Sequence, residues 1–243
     1  MEGPSLESLT AAHTGDRDRF FEQAFGSELG WPESGDHASV PTDAITKTGT
    51  TTVGLTADDG VVLATDRRAS LGHMVSSKTV QKVEQIHPTG ALTIAGSVSA
   101  AQSLLRSLQA EVSLYEARRD EEMSMTALST LTGNFLRSGA FLIVQPVLGG
   151  VDEDGPHIFS LDALGATMEE DYTVSGSGSQ FALGVLEQEY DQDASIEECV
   201  TIAAQSVKSA LERDTASGNG IVIAEVTDDG VEIDSYENVD ELL

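Results

Sequence analysis

Thr50 follows Gly49 and opens a β-branched run, Thr50-Thr51-Thr52-Val53-Gly54-Leu55-Thr56. Were the Gly49–Thr50 bond cut, Thr50 would carry a free α-amine beside its own hydroxyl. One residue would then hold both nucleophile and base, the amine taking the proton as the oxygen attacks a carbonyl. An α-amine titrates at ~7.7–8.0, close to working pH, where general-base catalysis is most efficient. Three threonines also open many β-strands with no chemistry attached, so this reading depends on what lies downstream.

Other chemistries find little support. The five histidines (His13, His37, His73, His87 and His157) show no metal-ligand spacing. There is no Gly-x-Ser-x-Gly elbow, and Gly176-Ser177-Gly178-Ser179 lacks the third glycine of a dinucleotide fingerprint. No cofactor and no metal is implied.

Composition narrows the partners. The chain has 243 residues with 41 acidic and 13 basic side chains, a net charge of −28. That balance argues against binding nucleic acid through phosphates, which needs clustered Lys and Arg, and against an anionic membrane surface. The acids are dispersed through apolar-periodic segments, which suggests a folded protein adapted to a salt-rich cytoplasm that screens its self-repulsion, with an ordinary acidic cytosolic protein as the competing explanation. The single Cys199 excludes an internal disulfide and fits a reducing compartment. It falls on a stripe with Ile196, Val200, Ala203 and Val207, a core position. No apolar run reaches the ~18–20 residues of a membrane span, and acids scattered through residues 1–30 leave no secretion signal. The expected location is the cytoplasm.

The elements that must position Thr50 follow from periodicity. Residues 1–49 form a polar leader rich in Gly, Pro, Ser and acids, unsuited to a core, with at most a short amphipathic helix around Asp18–Phe25. The remaining 194 residues read as one domain. Thr50–Ala57 and Val61–Asp66 flank Asp58-Asp59-Gly60, a hairpin signal with Gly60 at a left-handed loop position. That register pairs Ala57 with Val61 and Thr52 with Asp66, which puts Asp66 on the face of Thr50. Further strands are expected at about 91–96, 141–149, 157–162, 172–175, 220–226 and 231–235. Helices are expected over about 98–119, 124–138, 179–190 and 195–213, the last behind a Ser195/Glu198 capping box. Strands and helix pairs in this order predict two sheets packed between helix layers.

Thr50 through Gly54, then Ala64-Thr65-Asp66-Arg67-Arg68-Ala69, then Lys82 sixteen residues beyond Asp66, form an ordered series. Ala95-Gly96, Gly176–Ser179 and Arg213-Asp214-Thr215-Ala216-Ser217-Gly218 continue it. Singly, these could be a strand end, a surface lysine, turns and a helix terminus. Together the series resembles the archaeal-type proteasome β subunits over residues 50–240. The resemblance implies the α+β fold of N-terminal-nucleophile hydrolases, a four-layer αββα sandwich, and a threonine endopeptidase. It implies Thr50 as a nucleophile exposed by self-cleavage after Gly49, so that 1–49 is a propeptide and 50–243 the mature domain. Lys82 would lower the proton affinity of Thr50, Asp66 would orient Lys82, and the Gly96 N–H would stabilise an oxyanion. Ser177, Asp214 and Ser217 would support the Thr50 amine. Ala69, Val80, Ile94 and Val98 would line an apolar pocket for the residue before the cut bond, with Glu84 near it. Implied partners are two stacked homo-heptameric β rings, outer rings of α subunits, a ring ATPase and unfolded polypeptides. A leader of 49 residues is longer than the resemblance leads one to expect. The rival readings are a non-catalytic ring subunit and another amidohydrolase of the same fold.

Overall fold

A computed structural model describes residues 49–138, 141 and 144–243. The expected leader helix at Asp18–Phe25 lies outside these residues. Among the described residues, twelve strands and four α-helices are arranged as two five-stranded antiparallel sheets and a small two-stranded one. The first sheet has the order β10-β1-β2-β11-β12, built from Tyr172–Gly176, Thr51–Ala57, Gly60–Asp66, Ile221–Thr227 and Gly230–Tyr236. The second has the order β5-β6-β7-β8-β9, from Val83–His87, Gly90–Thr93, Val147–Asp152, Gly155–Leu161 and Thr167–Glu170. β3 (Ala69–Leu71) and β4 (Met74–Ser77) form the small ribbon.

Strand alternation builds the layers. Val61 and Leu63 of β2 face the second sheet, where they meet Val147 and Ile158. Val62 and Ala64, one residue out of phase, face α3 (Ser179–Glu189) and α4 (Ile196–Arg213) together with Val53 and Leu55 of β1. On the other side α1 (Val98–Arg119) and α2 (Met125–Arg137) cover Leu92, Leu148 and Phe159 of the second sheet. Three apolar clusters therefore separate four layers, in the expected αββα order. Gly54 and Gly149 both lie in the gap between the sheets, where a Cβ on either would come within 3.1 Å of Leu63 and 3.0 Å of Ile158. A Cβ at Gly54 would lie 2.9 Å from Val147 and 3.1 Å from Leu63.

Caps set the helix ends. The Ser97 and Ser124 side chains accept from Ala100 N and Ala127 N. The Ser195/Glu198 box closes as expected, with both reciprocal bonds present. Cys199 is buried against the first sheet with Ile196, Ala203 and Val207.

The first hairpin corrects the expected register. Ala57 pairs with Gly60 and Thr52 with Thr65, so the loop holds only Asp58 and Asp59, and Asp66 stands opposite Thr51 rather than Thr52. Neither Asp58, Asp59 nor Gly60 has a positive φ. Gly60 is required by packing instead: a Cβ there would overlap the Val226 carbonyl of β11 and lie 2.6 Å from Ile196 Cδ1. Sequence periodicity also passes over four strands. β5 is interrupted by an irregularity between Gln85 and His87, which buries Ile86 and His87 in succession and breaks the period of two. β9 is an edge strand exposed along its whole length, with no buried face to write a pattern. β4 is exposed except for half-buried Ser77, and the three residues of β3 bury only Ser70, too short a run to show a period.

Leu63 is fully buried between the sheets. Leu63→Ala is expected to destabilise the domain by ~2–5 kcal/mol, measured as a lowered urea midpoint with unchanged m-value.

Candidate active site

The head of β1, the end of β2 and the segment leading into β5 meet at one rim of the sandwich. Thr50 immediately precedes β1 and Asp66 ends β2, with 5 % and 0 % exposure. Lys82 lies between β4 and β5 and is held by two backbone bonds near it, Val80 N to Arg67 O at 3.0 Å and Ile94 N to Lys82 O at 2.7 Å. Its ammonium donates to Thr50 Oγ1 at 2.9 Å and to Asp66 Oδ1 at 2.6 Å.

Four donors converge on the Asp66 carboxylate. Besides Lys82, Oδ1 accepts from Thr51 N at 3.0 Å, and Oδ2 accepts from Arg68 N at 3.0 Å and Gly218 N at 2.9 Å. A buried charge needs this, because unpaired it would cost several kcal/mol. Burial pushes the Lys82 ammonium below the ordinary lysine pKa. Asp66 and, at longer range, Asp214 pull it back up, while Arg68 adds to the lowering.

A second network lies on the other side of Thr50. Asp214 follows α4, and its Oδ1 accepts from Ala216 N at 3.1 Å. Its Oδ2 accepts from Ser177 Oγ at 2.6 Å and Ser217 Oγ at 2.7 Å. Because Ser217 gives its one proton to Asp214, the 2.8 Å contact between Thr51 Oγ1 and Ser217 Oγ is donated by Thr51. Ser177 Oγ in turn accepts from Thr50 N at 3.2 Å. That nitrogen belongs here to the intact Gly49–Thr50 peptide and stands where the α-amine of a cleaved chain would be. Gly49 is itself buried, and its N–H donates to Ser70 Oγ at 3.2 Å. Serine hydroxyls thus grip the amides on both sides of that bond. A Cβ on Gly49 would overlap the Ala216 side chain and lie 2.9 Å from Ser177 Oγ.

The six polar residues singled out in the sequence (Thr50, Asp66, Lys82, Ser177, Asp214 and Ser217) are therefore joined in one array. Gly96, with φ 110°, lines the adjoining cleft, in a backbone conformation that favours glycine. Ala69, Val80, Ile94 and Val98 line the same cleft, as do Gln81, Glu84, Gln102 and Leu105. Asp66 reaches the site differently from the expectation: register sets it opposite Thr51, and it binds the Thr51 amide and, through Lys82, the Thr50 hydroxyl. Sequence reasoning missed Gln102 and Leu105, which follow Val98 at helical spacing and could have been found from it. It also missed Thr51, Ser70 and Arg68. The Arg68 guanidinium bonds Asn219 Oδ1 at 3.0 Å and Thr215 O at 2.8 Å, tying the 214–219 loop to the end of β2. Nothing local marks these three. Among the described residues no group of three or more His, Cys, Asp or Glu side chains is placed to hold a metal ion, and no helix is long and apolar enough to cross a membrane.

An αββα sandwich whose inner strand opens on such an array has the layout of the N-terminal-nucleophile hydrolases. The family model described as "Proteasome subunit" matches residues 46–226, and the chain belongs to that family. It is 66 % identical over 229 residues to the proteasome subunit beta of Haloquadratum walsbyi, covering 94 % of this chain and 93 % of that one. It is 64 % identical over 224 residues to the subunit of Halorubrum lacusprofundi, covering 91 % and 92 %. With the Haloferax volcanii subunit it shares 65 % identity over 238 residues, 98 % and 95 % of the two chains. The last match must include most of residues 1–49, so the leader's length does not set this chain apart from that relative. These relatives come from halophilic archaea, in keeping with the acid excess.

Asp66→Asn would leave the Lys82 ammonium buried without its counter-charge, with an expected loss of ~3–5 kcal/mol at neutral pH. The lysine can escape by shedding its proton, so its folded-state pKa falls further below the unfolded value. The deficit is then full at pH below the folded pKa and shrinks as pH rises toward ~10.4. Urea unfolding across pH checks both size and slope, and adding Lys82→Met should recover much of the loss.

Proposed function

We propose that Thr50 is the nucleophile of a threonine endopeptidase and that this chain is a catalytic β subunit of a 20S proteasome core. The observation that carries this reading is the single ammonium of Lys82, 2.9 Å from Thr50 Oγ1 and 2.6 Å from Asp66. A positive charge at that oxygen favours its deprotonated form, and Asp66 keeps the charge in place, as the third member of a triad does. Once the Gly49–Thr50 bond is cut, the free amine takes the hydroxyl proton as Oγ1 attacks a peptide carbonyl. The bond to Oγ1 forms as the carbonyl oxygen becomes an oxyanion, for which Gly96 N–H is the proposed donor. The amine then returns its proton to the leaving nitrogen, and water releases the acyl group. Ser177, Asp214 and Ser217 hold the amine in position throughout.

Residues 1–49 serve as a propeptide that keeps the amine acylated, and hence inert, until the chain cleaves itself. Gly49 supports this: no larger residue fits beside Ala216 before the bond to be cut. The apolar walls of the cleft favour cleavage after large hydrophobic residues. Selectivity is broad, since one methylene changes preference by only ~1–3 kcal/mol. Assembly with α subunits into the core particle follows from family membership. The finer arrangement proposed is two stacked homo-heptameric β rings between α rings, in the cytoplasm, fed with unfolded chains by a ring ATPase. A purely structural ring subunit would have no use for the Thr50–Lys82–Asp66 array.

The intact mass of the chain, purified with its α partner from its own host in high salt, tests this first. Loss of 49 residues supports the assignment, and a full-length chain in an assembled, peptide-cleaving particle sinks it. Thr50→Ala should assemble yet lose peptide hydrolysis by ~10³-fold or more; unchanged hydrolysis would exclude Thr50. Gly49→Ala should leave a larger share of the chain uncleaved, read from the same mass spectrum.

A further inference from the structure

One hydroxyl beside the Gly49–Thr50 bond has no part in the peptide hydrolysis described above. Ser70 is the middle residue of β3 and is buried. Its apolar neighbours in the ribbon, Leu71, Met74 and Val75, are all exposed. The pairing of β3 with β4 shifts register between Ala69 and Ser70, an irregularity of the kind that re-aims a side chain. A ribbon that leaves leucine, methionine and valine outside and sends a serine inward is not arranged for packing.

The inward hydroxyl is engaged as both acceptor and donor. Ser70 Oγ accepts from Gly49 N–H at 3.2 Å and gives its one proton to Ala216 O at 3.5 Å. Ala216 is also the residue whose side chain a Cβ on Gly49 would overlap, and its own N–H donates to Asp214. Gly49 is thus held between Ser70 and Ala216. Glycine has the freest backbone of all residues, yet its carbonyl is the one that must be presented to Thr50. On the far side of that carbonyl, Ser177 Oγ accepts from Thr50 N at 3.2 Å. With both flanking N–H groups held, the torsions that aim the Gly49 carbonyl are restrained from both ends, which is how orientation lowers a barrier.

We propose that Ser70 is a positioning residue for self-cleavage: by holding the Gly49 amide it aligns the Gly49 carbonyl for attack by Thr50 on its own preceding peptide bond. The proposal rests on Thr50 being the nucleophile. In that step Thr50 Oγ1 bonds to the Gly49 carbonyl carbon. The bond from this carbon to the Thr50 nitrogen breaks, its electron pair stays on nitrogen, and the hydroxyl proton ends there too. The acyl group has then moved from nitrogen to oxygen as an ester. Water attacks the ester, releases residues 1–49 with a terminal carboxylate, and restores the Thr50 hydroxyl beside a free amine. Ser70 touches neither reacting atom and acts through Gly49. Its contact with that residue exists only in the uncleaved chain.

The test follows the rate of leader loss by intact mass after the full-length chain is mixed with its α partner at fixed high salt. Ser70→Ala is expected to slow leader loss about tenfold, the effect of one lost hydrogen bond. Ser70→Thr keeps the hydroxyl on a residue that suits a strand, and should return the rate to within about threefold of wild type. A merely structural role for Ser70 would not follow the hydroxyl in this way. Glycolate in place of Gly49 exchanges its N–H for an ester oxygen and alters no side chain. It should slow leader loss by a similar factor, and adding Ser70→Ala should slow it no further, because both changes remove the same contact. Leader loss at the wild-type rate in the glycolate chain overturns the proposal even if Ser70→Ala fails to assemble. A wild-type rate in Ser70→Ala, or the full deficit in Ser70→Thr, overturns it as well. Thr50→Ala separates the two readings. If Thr50→Ala keeps its leader while Ser70→Ala loses it at the wild-type rate, the nucleophile stands and only the role of Ser70 falls. If Thr50→Ala sheds its leader at the wild-type rate, both fall together.

Discussion

The Asp66 carboxylate, with 0 % exposure and four donors, is the interaction on which the rest of the site depends. Its partners come from four separate pieces of chain: the head of β1, the turn after β2, the segment before β5, and the loop after α4. A buried carboxylate that loses one of these regains nothing from water, so each piece is held where the others need it. Asp66 ends a strand of the first sheet and Lys82 leads into the second. The pair therefore also fixes how the two sheets meet at this rim.

Positioning the Thr50 hydroxyl then becomes a by-product of satisfying a charge. The same Lys82 ammonium that pairs with Asp66 lies within hydrogen-bond distance of Oγ1. The second network, from Asp214 through Ser177 and Ser217, does the same for the nitrogen of Thr50. Close backbone approach completes the arrangement. Gly176, with φ 94°, leaves space for the Thr50 carbonyl that any Cβ would fill. Most of the described acids are exposed, whereas the site balances Lys82 and Arg68 against Asp66 and Asp214. The buried groups thus keep their local electrostatics beneath a strongly acidic surface.

Much of the fold was legible in the sequence, for identifiable reasons. α1 and α4 announce themselves through stripes at Leu104, Leu108 and Val112 and at Cys199, Ala203 and Val207. The Ser195 cap of α4, with Glu198 three residues on, uses hydroxyl chemistry that is local. The first two strands show runs rich in β-branched and apolar residues. What failed was register: Gly60 looks like a turn residue, but its role is to admit the Val226 carbonyl and Ile196, partners far away in sequence. β5 hid its period in a bulge, and β9, exposed on both faces, has no period to show.

For the site, the sequence by itself determined which groups are available: a threonine behind a glycine, an aspartate and a lysine sixteen apart, and the 213–218 segment. It determined this because nucleophile, charge and acceptor are properties of residue type and of short spacing. Only the tertiary structure decided that Asp66 serves Thr51 and Lys82 from a register one residue away from the expected one. It alone recruited Ser70, Thr51 and Arg68, and left Glu84 in an apolar cleft without a partner. Those outcomes turn on which distant segments come within about 3 Å of each other, and no local pattern encodes that.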